Sequence, residues 1–345
     1  MVRVQANTEA RELRERIRAE ALTVGFSRAG FTGAEPLGPT IERRRTEWLA
    51  EGRAGAMQYL HREHPRRTHP RDLLPEARTV LVVLAGYYDG DHPPAAPDEG
   101  RIARYAWGED YHGVMRRRLD ALAEGIQRLA QGAGIAAPLR VRPCVDSAPI
   151  DERALAARAG LGFIGKNTLL IDPAGGSWTL IGVLLMSLDL PPDEPLRGPA
   201  ASCAGCRRCL DACPTGAIDR PYRLDARRCL SYLTIEQKDE IPLELAARME
   251  GWAFGCDICQ EVCPFNDRPL GRLLPELAAD RGAGPLATPA MLERDPSARA
   301  FRRRWGHTPL ERPGRKGLER NLRALAAGRR PVPAGAMRPS QEDPS

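Results

Sequence analysis

The sequence predicts a mixed α+β chain: an α/β-like layer first, then a cysteine-rich module, then a short helical and basic part. Three observations predict it. Strand and helix patterns alternate from residue 1 to residue 190, eight of the nine cysteines fall within residues 203–263, and basic residues concentrate after residue 300. At 345 residues the chain exceeds the usual single-domain size, so one sizeable core with smaller modules is expected. The expected parts are 1–190, 191–269, 270–330 and a disordered Pro-, Gly- and Ala-rich tail at 331–345.

Residues 8–24 and 39–51 have helical patterns, and 79–88 (TVLVVLAGYY) reads as a buried strand. An acidic, proline-rich loop at 89–100 follows. Val114, Met115, Leu119, Leu122, Ile126 and Leu129 then keep a helical period, and Gly132 with Gly134 ends that core-facing helix. A strand at 139–145, a helix at 149–159 and strands at 168–171 and 178–188 complete the layer. Pro191, Pro192, Pro195 and Pro199 mark a linker into the cysteine-rich segment.

No apolar stretch reaches the roughly 18 residues of a membrane-spanning helix. The charged segment from Met1 to Glu20 lacks the apolar core of a secretion signal, so a cytoplasmic protein with no membrane partner is expected. The net charge is +6, but residues 301–330 hold ten Lys or Arg against Glu311 and Glu319, a local +8. Such a patch either neutralises the phosphates of a nucleic acid or forms a solvated helix face.

Cysteines this dense in a long chain without an export signal favour metal ligation over disulfides. The first motif, Cys203-x2-Cys206-x2-Cys209-x3-Cys213-Pro214, has the spacing of bacterial two-cluster ferredoxins. Cys256-x2-Cys259-x3-Cys263-Pro264 supplies three more ligands, and Cys229, 27 positions before Cys256, completes eight. The last cysteine of each run, the one followed by proline, ligates the other cluster. By that crossed rule Cys203, Cys206, Cys209 and Cys263 hold one [4Fe–4S] cluster, and Cys213, Cys229, Cys256 and Cys259 hold a second. A pair of zinc sites would more naturally use two separated Cys-x2-Cys hooks. Adjoining clusters suit single-electron transfer, which calls for an external electron donor. Cys144, the ninth cysteine, reads as a packing residue in a strand.

Gly160-Leu-Gly162-Phe-Ile-Gly165-Lys166 matches a dinucleotide fingerprint and nearly matches a phosphate loop. Both need a strand before and a helix after, whereas here a helical pattern precedes and strand-like residues follow. Asn167 also stands where a phosphate loop needs Ser or Thr. The glycines are expected instead to allow a close turn that brings Lys166 near a bound ligand.

Further segments carry a resemblance: Ile102-Ala-Arg104-Tyr-Ala-Trp-Gly-Glu-Asp110-Tyr111-His112, Val145-Asp146-Ser147-Ala-Pro149, Cys229-Leu-Ser231-Tyr-Leu-Thr234-Ile-Glu236 and Gly255-Cys-Asp257-Ile-Cys-Gln-Glu-Val-Cys-Pro-Phe-Asn266. With the glycine segment through Asn167-Thr, they make residues 8–328 resemble the epoxyqueuosine reductases. The resemblance implies a cobalamin-dependent enzyme of the last step of queuosine biosynthesis, reducing epoxyqueuosine at the tRNA wobble position to queuosine; a monomer is expected. It implies a nitroreductase-like cobalamin domain, a ferredoxin-like module and a HEAT-like helical part, here short.

By the same resemblance Asp146 is the proton donor, with a carboxyl pKa raised by burial, and Arg67, Asp146, Leu170, Ile181, Ser231 and Asp257 contact the corrin. The alternative for Asp146 or Ser147 is a cap on the helix starting near Pro149. No histidine is required on the cobalt, and His112 is expected to be structural. Lys238 and the cluster Arg302, Arg303, Arg304, Arg315, Lys316 and Arg320 are the candidate tRNA contacts. The rival readings are a dehalogenase-like corrinoid iron–sulfur reductase of a small molecule and a non-catalytic electron carrier. The carrier leaves the part at 1–190 without a role.

Overall fold

Residues 79–86 are apolar without interruption, and in the computed structural model they form the centre of the main sheet. The structure describes residues 2–62, 65–135 and 138–329. The expected tail at 331–345 lies outside the described residues. The first half runs α1 (Val2–Thr23), β1 (Arg28–Gly33), α2 (Pro39–Ala50), α3 (Gln58–Arg62), β2 (Thr79–Gly86), β3 (Gly100–Ile102), α4 (Tyr111–Gly132), β4 (Val141–Cys144), α5 (Glu152–Arg158), β5 (Phe163–Ile164), β6 (Leu170–Ile171) and β7 (Thr179–Met186). There follow α6 (Arg208–Asp211), α7 (Leu230–Ile235), α8 (Leu243–Ala246), β8 (Trp252–Phe254), α9 (Ile258–Glu261), β9 (Leu286–Ala287), α10 (Pro289–Arg294), α11 (Ala298–Trp305) and α12 (Gly314–Gly328).

The main sheet has the order β1-β2-β7-β4 with every neighbouring pair antiparallel. The α+β class therefore holds. The α/β-like expectation for the part at 1–190 gives way, because no parallel crossover joins these strands. Leu81, Val83 and Ala85 of β2 pack in a core with α1 and α4, while Val80, Val82 and Leu84 pack with α5 on the other face. Helices cover both faces, which is why the strand reads as a continuous apolar run rather than an alternating one. On α4, Val114, Met115, Leu119, Leu122 and Ile126 are fully buried. Each such large aliphatic side chain contributes about 1.5–3 kcal/mol by leaving water.

A second sheet joins distant parts of the chain. β3 lies between β8, to which it is parallel, and β9, to which it is antiparallel. Ile102, Ala103 and Trp107 share a core with Trp252, Phe254, Phe301, Leu318 and Leu325. Residues 100–107 therefore pack in the core of the C-terminal half, across the boundaries expected at 190 and 269. Their position in the sequence hides this, because β3 is very short and its partners lie far downstream, at Trp252–Phe254 and Leu286–Ala287.

The glycine-rich segment is a hairpin, β5 paired antiparallel with β6. Gly160 takes φ +72, and a Cβ on Gly162 would stand 2.4 Å from the Ile171 carbonyl oxygen. The glycines serve a close backbone approach, and no nucleotide loop forms.

Candidate active site and iron–sulfur ligand sets

All nine cysteines are free thiols. The two cysteine motifs form similar short turns, with α6 carrying Cys209 and α9 carrying Cys259, and Cys229 stands at the N-terminal end of α7. Burial pushes the Cys209 thiol up to about 11, with further contributions from Cys203, Cys263 and Cys206. Burial likewise raises Cys259, whose charged neighbours include Cys229, Cys209 and Cys213. Cys256 feels Cys259 and Cys229. Cys263 thus lies near Cys203, Cys206 and Cys209, and Cys213 near Cys229 and Cys259.

Among the described residues no three thiol sulfurs lie within 4.8 Å of one another. Backbone N–H groups point at several sulfurs, including those of Ser231 and Tyr232 at Cys229 and of Phe265 at Cys263. Such bonds favour thiolate ligands. Lys166 at the tip of the β5–β6 hairpin donates its backbone N–H to Cys203 Sγ (3.4 Å) and its Nζ to the carbonyls of Ala204 (2.6 Å) and Cys206 (2.8 Å). Lys166 thus bonds the first cysteine loop of the chain itself, where a bound ligand was expected.

In front of the second set lies a cavity of ≈ 1370 Å³, lined among others by Arg67, Asp146, Leu170, Ile181, Cys229 and Ser231. Five of the six residues expected at the corrin thus converge. The sixth, Asp257, does not line it. Its carboxylate is buried and accepts from the Arg104 backbone N–H (2.9 Å) and Nη1 (3.1 Å), so its side chain is a structural anchor rather than a cavity contact. Arg67 is buried with its Nε unpartnered, as is the Nε of Arg45, whose charge interacts with it.

Asp146 follows β4 and presents Oδ2 to the Tyr111 hydroxyl, which donates at 2.7 Å. His112 Nε2 lies 3.2 Å from the same oxygen, and its Nδ1 lies 2.7 Å from Asp110. Burial opposes a charge on His112, but the bonds to Asp110 and Asp146 push its pKa up to about 9. Burial also pushes the Asp146 carboxyl up, yet the hydrogen bonds from His112 and Tyr111 outweigh this and hold it below the usual range. The expected rise, which depends on burial against a corrin, is not reached in the open cavity. The Asp146 side chain is 55 % exposed to the open cavity and has a cation beside it. Burial and the charge of Asp146 push Glu152, also on the cavity wall, up to about 8.

The capping alternative fails, because Asp151 caps α5 by accepting from the Ala154 N–H. His112, expected to be structural, stands on the cavity wall. Its place beside Tyr111 at the start of α4, in the quoted Asp110-Tyr111-His112 run, was the available signal. Cys144 is buried in the α5-side core, as a packing residue should be.

Of the basic candidates, Lys238, Arg303 and Lys316 are exposed. Arg315 instead donates to the carbonyl of Asp295 and pairs with Glu319, and buried Arg320 donates to Leu233, so these two hold the helical part together. Arg302 pairs with Glu311 and Arg304 with Asp295.

Two family models match: "Epoxyqueuosine reductase QueG, DUF1730" over residues 67–147 and "4Fe-4S double cluster binding domain" over residues 202–266. An epoxyqueuosine reductase of Xanthomonas campestris pv. campestris is 41% identical over 333 residues, covering 95% of this chain and 89% of that protein. The chain belongs to the epoxyqueuosine reductase family. A relative of the same name from Synechococcus sp. (strain RCC307) is 44% identical over 260 residues, covering 74% of this chain and 76% of that one. A crystal structure of epoxyqueuosine reductase with a tRNA-Tyr epoxyqueuosine-modified stem loop superposes with TM-score 0.79 at 30% identity, over 91% of this chain and 80% of that one. The enzyme from Bacillus subtilis, solved with its aspartate catalytic loop swung out of the active site, gives 0.78 at 28%, over 91% and 81%. Membership makes the chain an oxidoreductase with a 4Fe–4S domain on a mixed α and β fold. No helix among the described residues is long and apolar enough to cross a membrane.

Proposed function

We propose that this chain reduces epoxyqueuosine at the wobble position of tRNA to queuosine, the last step of queuosine formation, with cobalamin in the cavity and two [4Fe–4S] clusters behind it. One observation carries the reading: a single cavity has Asp146, held by His112 and Tyr111, on its wall and Cys229, a thiol of the second ligand set, on the same wall. A proton donor and an electron terminus face one space. Removing an epoxide oxygen as water consumes two electrons and two protons, which is the supply such a space can provide. The stem loop bound to the similar crystal structure supports tRNA as substrate.

The cavity residues fit a corrin. Leu170 and Ile181 give an apolar wall, Arg67 and Arg45 offer buried unpartnered donors, and both ring nitrogens of His112 are engaged by carboxylates, leaving none for cobalt. Bound there, cobalamin would supply the low-valent cobalt chemistry that opens the strained ring. Filling the cavity removes water from Asp146 and raises its proton affinity. Tyr111 orients Oδ2, and His112 holds the proton that replaces the one Asp146 gives to the substrate oxygen. Exposed Lys238, Arg303 and Lys316 contact tRNA phosphates, and the splayed wobble base enters the cavity. The enzyme acts as a cytoplasmic monomer served by an external one-electron donor.

The deciding experiment is anaerobic reconstitution with iron, sulfide and cobalamin, followed by mass analysis of nucleosides from tRNA bearing epoxyqueuosine. Conversion to queuosine is expected. Unchanged epoxide with all cofactors loaded and a working reductant overturns the reading.

A further inference from the structure

The two thiol sets face different surroundings. Cys229 of the second set lines the cavity, whereas Cys203, Cys206 and Cys209 of the first are not among its lining residues. The first loop lies at the surface, with Ala204, Gly205, Arg207 and Arg208 exposed. Cys209 and Cys259 lie near enough for their charges to interact, so the sets adjoin. Electrons that enter at the first set therefore have a continuous route to the second set and the cavity.

The surface around that point of access is basic and carries one large exposed aromatic side chain. Tyr222 is 50 % exposed, and its backbone N–H donates to the Lys166 carbonyl at 3.0 Å. Lys166 in turn bonds Cys203 Sγ and the carbonyls of Ala204 and Cys206. Two hydrogen-bonded steps thus tie Tyr222 to the first cysteine loop. Arg220, in the same tight turn closed by the Arg220–Arg223 bridge, is also exposed. Of the nearby acids, Asp211 is paired with Arg207 at 3.4 Å and Asp219 with Arg53 at 2.8 Å. Arg208 and Arg220 are left without an acidic partner among the described residues, so the unbalanced charge is positive.

We propose that Arg207, Arg208, Arg220 and Tyr222 form the docking face for an acidic one-electron carrier protein of flavodoxin or ferredoxin type. This rests on the reading of the cysteines as ligands of two clusters. In each encounter the carrier loses one electron and the first cluster gains it, and two encounters supply the two electrons that one epoxide consumes. Charge complementarity steers the encounter, and the tyrosine supplies apolar contact at its centre.

The test uses the reconstituted holoenzyme and follows bleaching of the cluster absorbance by stopped flow. The reductants are a reduced flavodoxin of net negative charge and, separately, photoreduced deazaflavin. The variants are Arg207→Glu with Arg208→Glu, Arg220→Glu alone, which lies away from the ligand loop, and Tyr222→Ala, each first checked for full iron content. Flavodoxin-driven bleaching should fall by about tenfold or more in the charge variants and fall with added salt in the wild type, while deazaflavin-driven bleaching stays the same. Equal flavodoxin rates in wild type and all variants overturn the proposal. So does loss of tRNA stem-loop binding with the flavodoxin rate intact, which would make this an RNA face. Failure of deazaflavin to bleach the wild type would overturn the cluster reading itself.

Discussion

His112 bridges two carboxylates: its Nε2 lies 3.2 Å from Asp146 and its Nδ1 2.7 Å from Asp110. The imidazole is stacked on Tyr111, and Glu152 and Arg153 complete the charged surroundings of Asp146. With a folded pKa of about 9, above the ordinary 6.5, the charged ring contributes stability that is fully present below about pH 6.5 and lost as pH rises through about 9. Histidine NMR titration of the cofactor-free chain should find one ring titrating near 9, brought down in Asp146→Asn. A wild-type value near 6.5 would exclude the bridge.

Asp146→Asn keeps the shape of the side chain and its contact with Tyr111 but removes the titrating proton. Cobalamin binding, followed by absorbance, should change less than about threefold, while kcat drops by about 10²–10⁴-fold. Full turnover would remove Asp146 as the acid.

Arg104 is 4 % exposed and holds Asp257 and Glu261 together, with Nη1 at 3.1 and 2.8 Å. Arg104→Met leaves a buried carboxylate without its cation, which costs about 3–5 kcal/mol. Urea denaturation of the cofactor-free chain would measure it. A loss below about 1 kcal/mol would mean that Asp257 is satisfied without Arg104.

The crossed ligand sets make a specific demand on iron content and spectra. Cys263→Ser should perturb the same cluster signal as Cys206→Ser, and Cys213→Ser the same signal as Cys229→Ser, each variant retaining about half the iron. Electron paramagnetic resonance after anaerobic reconstitution distinguishes the two signals. Pairing of Cys213 with Cys206 instead would refute the crossing.

Charge reversal at Arg303 and Lys316 should weaken tRNA binding and flatten its salt dependence, because each removes a phosphate contact. Arg315→Glu should instead lower the melting temperature, since Arg315 is spent on Asp295, Leu292 and Glu319. Unchanged affinity in the first pair would leave that face as solvated surface.

Much of this molecule was legible along the chain. The helical period of Val114, Met115, Leu119, Leu122 and Ile126 located α4, and the uninterrupted apolar run at 79–86 located β2. The cavity residues Arg67, Leu170, Ile181 and Ser231 came with the family motifs and do converge. What the motifs hid was which polar side chains spend themselves internally: Asp257, Arg315 and Arg320 carry the same charge in the sequence whether they face a ligand or a buried carbonyl.

The ligand chemistry is written in the chain itself, because cysteines spaced so closely must lie on one turn of backbone wherever that turn packs. Folding alone settles the antiparallel order β1-β2-β7-β4, the transfer of residues 100–107 into the C-terminal core, and the partners that Tyr111 and His112 give to Asp146. Those properties depend on strand pairing, burial and charges contributed by residues far apart in the chain. His112 lies 34 positions from Asp146, and only the packing of α4 against the end of β4 brings the imidazole to the carboxylate.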